Sequence, residues 1–187
     1  MYLCHQIGFL MEKDMSFDPQ PIGVGYFGNV YDQFRGKVKE AFDFLIAHQS
    51  GDLLGVFYRD ELGEIDLVWG SDEEGKGLEH IIKKHIERLN DFSCVEEARG
   101  KIEDVIKNGA IIKNKWDKAT IEKDGYRVAI SKNVRDSKGN VVVEKKNWVV
   151  TSFDNNIPKS QKKTSAITLV TPDSTSGGRA VASDAVS

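Results

Sequence analysis

"KATIEKDGYRVAIS", Lys118 to Ser131, is the stretch on which the fold turns. Along "GYRVAIS" Tyr126, Val128 and Ile130 fall on one side and Arg127, Ala129 and Ser131 on the other. A period of two belongs to a strand, and here one face is apolar while the other is small and polar. The apolar face needs a core to pack on. The other is what an open binding surface needs. "KDG" suits a hairpin turn, which makes "KATIEK" the neighbouring strand.

Working outward, "AIIKN" before this pair and "VVVEKKNWVVTSF" after it are strand-like, with breaks at "NKWD" and "RDSKGN". Upstream the period lengthens. "GKVKEAFDFLIAHQ" (36–49) sets Val38, Ala41, Phe42 and Leu45 at helical spacing, with Gly51 as a stop signal. "VEEARGKIEDVIKNG" (95–109) repeats the pattern, although Gly100 costs about 1 kcal/mol relative to Ala. Between them "DLLGVFYR" and "EIDLVWG" read as strands joined at "DELG". Helices mostly first and a meander last predict an α+β fold, with N-terminal helices packed on a C-terminal antiparallel β-sheet. Residues 21–157 are expected to form one domain. Residues 1–20 show no periodicity and read as an extension or tether. Residues 158–187, rich in Ser, Thr and Gly, read as a disordered tail.

No apolar run approaches the roughly 18 residues of a membrane span, and the N-terminus lacks a signal-peptide pattern. Cys4 and Cys94 have no CxxC spacing, so neither a disulfide framework nor a zinc site is expected. No metal or other cofactor and no membrane partner are anticipated, and a cytoplasmic site of synthesis is the default. The net charge of −3 conceals a gradient. Residues 107–146 hold eleven Lys and Arg against five Asp and Glu, whereas 60–74 hold seven acids and no base. Such a basic half can attract a polyanion despite the overall sign.

"KGLEHIIKKH" (76–85) holds two of the four histidines. At about 100° per residue, Leu78, Ile81, Ile82, His85, Ile86 and Leu89 share an apolar stripe. His85 is thus expected to face the core. His80 falls almost opposite, expected in solvent near Lys83 and Lys84, so the two should not share a face. Each titrates near neutrality and can move protons, and the lysines can attract phosphate. "GVGYFGNV" follows no clear strand and lacks a Lys-Ser/Thr pair, which excludes a phosphate loop.

Taken in order, "GDLLGVF", "GEIDLVWG", "GLEHIIKKH", "GYRVAISKN" and "WVVTSFD" resemble the phage-associated nuclease domains of the barnase–EndoU–colicin–RelE superfamily, from about Phe27 to Asp154. The resemblance implies a barnase/RelE-like α+β fold whose open sheet face binds RNA. It also implies metal-independent cleavage by attack of the ribose 2′-OH on the adjacent phosphate. By the same resemblance His80 and His85 match the family's helical histidines, Arg127 its strand arginine, and Thr151 and Ser152 its hydroxyl positions. Lys83, Lys84 and Lys132 are the candidate substrate-binding cations. Trp148 and Phe153 also match, with core packing as their expected role. The expected function is an endoribonuclease acting as a phage or mobile-element toxin. RNA, tRNA included, is the partner, together with an immunity or antitoxin protein and a phage-associated route of delivery. The competing reading is a non-catalytic RNA- or protein-binding module of a phage structural protein.

Overall fold

The computed structural model describes residues 18–156. The 158–187 tail and most of the 1–20 extension lie outside the described residues. In chain order the elements are β1 (Gly23–Gly25), β2 (Gly28–Tyr31), α1 (Val38–His48), β3 (Asp52–Arg59) and β4 (Gly63–Val68). Next comes α2 (Leu78–His80), which runs directly into a π-helix (Ile81–Arg88), then α3 (Val95–Asn108). The remaining strands are β5 (Ala110–Asn114), β6 (Lys118–Lys123), β7 (Tyr126–Ser131), β8 (Val134–Arg135), β9 (Val141–Val143) and β10 (Trp148–Asp154).

Eight strands form one sheet in the order β1-β2-β3-β4-β10-β7-β6-β5, and β8 pairs with β9 apart from it. The fold is α+β, but the sheet is neither C-terminal nor wholly antiparallel. β1 to β4 make up half of it, and β2–β3 and β4–β10 run parallel. The reason lies in β10, which leaves the meander and enters beside β4, joining two half-sheets. Alternation identifies a strand but not the neighbour it will find.

The β6–β7 hairpin pairs from Lys118↔Ser131 to Lys123↔Tyr126. Its turn residues Asp124 (φ 51°) and Gly125 (φ 81°) are both left-handed, the conformation a two-residue hairpin loop needs to match strand twist. α1 buries Ala41, Phe42 and Leu45, and α3 buries Ala98, Ile102, Val105 and Ile106. They share one core with Ile121, Val128, Ile130 and Val149 of the sheet. Each fully buried aliphatic or aromatic side chain contributes about 1.5–3 kcal/mol relative to exposure.

The opposite face of the same strands is different. Thr120, Arg127, Ala129, Thr151 and Phe153 are all partly exposed there, as the alternation in "GYRVAIS" requires. β10 touches β4 in register only at Trp148↔Asp66. Beyond that point the amide of Gly77, at the start of α2, donates to the Val150 carbonyl at 2.8 Å. A helix terminus thus occupies the gap where β4 and β10 diverge. Among the described residues no helix is long and apolar enough to cross a membrane.

Candidate active site

The loop into α2, "WGSDEEGKG", is tied by reciprocal backbone bonds between Ser71 and Lys76. It closes because Gly70 and Gly77 nearly touch. Both have positive φ, and a Cβ on Gly77 would lie 2.5 Å from the Trp69 carbonyl oxygen. This closure sets Asp72 beside the helix that follows.

That helix does not keep the α period. From Ile81 to Arg88 it is a π-helix, with hydrogen bonds to the fifth residue back, as from Leu89 N–H to Lys84 O at 2.9 Å. Residues five apart then stack as residues four apart do in an α-helix. His80 and His85 therefore meet, their ring centroids 5.3 Å apart and the rings nearly perpendicular. The expectation that they occupy opposite faces fails for this reason. So does the expectation of a solvated His80, since both histidines are only 5% exposed.

Each imidazole has a carboxylate on Nδ1. His80 Nδ1 lies 3.1 Å from Asp72 Oδ1, an oxygen that also accepts a bond from Arg88 Nη2. His85 Nδ1 lies 2.7 Å from the buried Asp91 Oδ2. Asp91 arrives there because the chain reverses at Asn90 (φ 53°), and the amides of Asp91 and Phe92 both donate to the His85 carbonyl. On its other side, His85 Nε2 accepts from the Thr151 hydroxyl at 3.0 Å, with the Phe153 ring stacked alongside. A carboxylate on Nδ1 holds the proton there and leaves Nε2 as the basic nitrogen. Burial pushes the His85 pKa down to about 4 against the opposing pull of Asp91, so the ring is neutral at physiological pH. Burial also lowers that of His80, with Asp72 pulling the other way and Lys84 and Arg88 adding to the fall.

His80 lines a cleft of about 430 Å³ together with Asp72, Glu73, Gly75, Lys84 and Arg88. Its Nε2 has no protein partner among the described residues. Lys84 thus stands at the cleft, while Lys83 is occupied by Glu79 on the helix surface. Arg127 lies on the open sheet face opposite Phe153 in register, paired with Glu122. Lys132 sits away from the histidines, bonded to Asn114 at the far end of β7.

Ser152 does not join this group. It is fully buried on the helix side, and its hydroxyl donates to the Arg127 carbonyl at 3.0 Å. A bulge between Val149 and Thr151 interrupts the alternation of β10. Simple alternation from Trp148 would put Ser152 on the open face, and the extra residue puts Thr151 there instead. Asp66 is committed elsewhere. With Asp52 it holds the half-buried Lys146, and it accepts from the Gly55 amide at 2.7 Å. Burial raises the Asp52 pKa while Lys146 draws it down. His48 is exposed at the end of α1 against the Phe44 ring. Trp148 is buried as expected, whereas Phe153 forms part of the site wall. Asp72, Asp91 and Arg88 escaped the sequence reading. Their signal, an acid in the loop on either side of a two-histidine helix, has meaning only once the helix is known to be π.

The chain matches the family model described as phage-Barnase-EndoU-ColicinE5/D-RelE like nuclease 1 over residues 56–159. The chain belongs to that family. The matched span contains His80, His85, Asp72, Asp91, Arg127 and Thr151, while β1, β2 and α1 precede it. Membership supports a nuclease function. No curated protein and no solved structure matches the chain.

Proposed function

We propose that this domain is an endoribonuclease that cuts RNA by attack of the ribose 2′-OH on the adjacent phosphate. The observation that carries the proposal is the adjoining pair of imidazoles, each with a carboxylate on Nδ1, at the edge of an open sheet face. His85 is the base. Its Nε2 already accepts from an alcohol, that of Thr151, and a substrate 2′-OH can take that alcohol's place. The 2′-oxygen bonds to phosphorus, the bond from phosphorus to the 5′-oxygen breaks, and His80 delivers a proton to that oxygen. The products are a 2′,3′-cyclic phosphate and a 5′-hydroxyl. Asp72 stabilises the imidazolium form of His80, and a bound phosphate favours it further. Arg127 released from Glu122 would meet the charge that develops on the phosphorane. Two imidazoles supply the whole proton inventory, so the step needs no metal.

The proposed setting is a toxin or effector of a phage or mobile element, with an immunity protein to restrain it. The experiment is incubation of the purified chain with total RNA in EDTA, followed by mapping of the new ends. Cyclic phosphates made in EDTA support the mechanism. Cleavage that requires added Mg²⁺ or Zn²⁺ overturns it. No cleavage in any buffer, with RNA still bound, would favour the non-catalytic binding module.

A further inference from the structure

The cleft explains where a phosphate is cut but not what holds the rest of the strand. The register of the open face supplies a path. Thr151 lies beside Ala129, Ala129 beside Thr120, and Thr120 beside Lys113, a row that crosses four strands from β10 to β5. At about 4.8 Å per strand the row is about 14 Å long. Its side chains are small or polar until it ends at the exposed Lys113.

Just past that end, the β5–β6 turn carries Trp116, which is 74% exposed. An indole left in water at the tip of a hairpin does nothing for the core. One of its faces has the Arg135 guanidinium 5.7 Å from the ring centroid, and Arg135 is itself held by a bond to the Gly139 carbonyl at 2.8 Å. Lys132, bonded to Asn114, ties the end of β7 to the end of β5 at the same corner. In sequence the turn is flanked by Lys113, Lys115 and Lys118 with one acid, Asp117, and Arg135 adds a cation at the ring itself. A planar ring beside fixed cations suits an unpaired nucleobase with its flanking phosphates.

We propose that the Trp116–Arg135 corner is a stacking platform for a base of single-stranded RNA, downstream along the sheet face from the histidine cleft. The substrate class is thereby narrowed to unpaired RNA long enough to span cleft and corner. A duplex cannot offer a base face to the indole without opening. The inference rests on the ribonuclease reading, and it can be tested apart from it.

The probes are a 12-residue single strand with every ribose 2′-O-methylated, which cannot be cut, its duplex, and an ordinary dinucleoside monophosphate. Trp116→Ala should weaken binding of the methylated single strand by on the order of 10- to 100-fold, with an unchanged melting temperature. Trp116→Phe should retain most of the affinity. Cleavage of an unmodified 12-residue strand should lose kcat/KM in proportion, while cleavage of the dinucleoside monophosphate, too short to reach the corner, should not change. Trp116-dependent binding without cleavage of any RNA would sink the nuclease reading and leave the platform standing. Normal cleavage with equal single-strand binding by Trp116→Ala and the parent chain would overturn the platform alone. Equal affinity for duplex and single strand would also overturn it, as would no RNA binding at all, which would point to a protein partner for this corner.

Discussion

α3 and the π-helix that precedes it are two amphipathic segments of the same domain, yet only α3 obeys the period its sequence displays. In α3 the buried residues are Ala98, Ile102, Val105 and Ile106, the stripe that 3.6 residues per turn selects. In the π-helix Ile81 and His85 are buried as the stripe requires, but Ile82 and Ile86 are only partly covered, and His80 turns inward with His85. What differs is the source of each geometry. α3 satisfies its own backbone and docks a ready-made face. The π-helix is wound by its surroundings, through Gly77 bonded to β10 at its entrance and the Asp91 and Phe92 amides folded back on His85 at its exit. Helices of this kind are uncommon and cluster at functional sites.

The largest effect that would sharpen this contrast is His80→Ala. RNA cleavage should fall by roughly 10²- to 10⁴-fold, with thermal stability nearly intact. A substrate with a nitrophenolate leaving group needs no proton from an acid, so on it the same variant should lose far less. A fully active His80→Ala protein would end the assignment of that residue.

Next is the mirror experiment in α3. Ile102→Ala should cost about 2–5 kcal/mol of stability, measured by denaturant unfolding, and leave the activity of the folded fraction unchanged. A loss of catalysis without a loss of stability would show that α3 too serves the chemistry.

Acid provides a third, smaller test. The unfolded chain takes a proton on His85 near the ordinary value of 6.5, and the folded chain only at about 4. Between these values the unfolded state holds more protons. Stability should therefore fall as pH drops through that window, by about 3 kcal/mol once below it. His85→Gln should flatten this part of the curve in denaturant titrations at a series of pH values. An unaltered slope would mean that another group governs the acid limb.

The smallest expected effect lies outside both helices. Deleting residues 160–187, which follow the matched family span and offer little apolar surface, should leave the melting temperature nearly unchanged. A large drop would show that the tail packs on the domain.

Much of this molecule is legible in its sequence wherever local physics decides. The alternation in "GYRVAIS" gives the two faces of β7, the Asp-Gly pair gives the hairpin, and α3 ends at the glycine that follows it. Legibility fails where one extra residue changes the phase. In the π-helix the widened turn brings His80 onto His85, and in β10 the bulge exchanges Ser152 for Thr151. Both displacements depend on partners distant in sequence, which no local window contains. The "GVGYFGNV" segment is a further case. Its short β1–β2 hairpin is too glycine-rich to show a period.

β10, the last strand in chain order among the described residues, is also the one that lies between the two halves of the sheet. On the ribosome, the chain up to Lys146 can assemble β1 to β4 and β5 to β7 with α3 packed on both, but without the strand that pairs the two halves edge to edge. Both histidines have by then been synthesised, but Thr151, and the strand that anchors the start of α2, have not. A nuclease domain built in this order completes the surroundings of its two histidines only when β10 arrives.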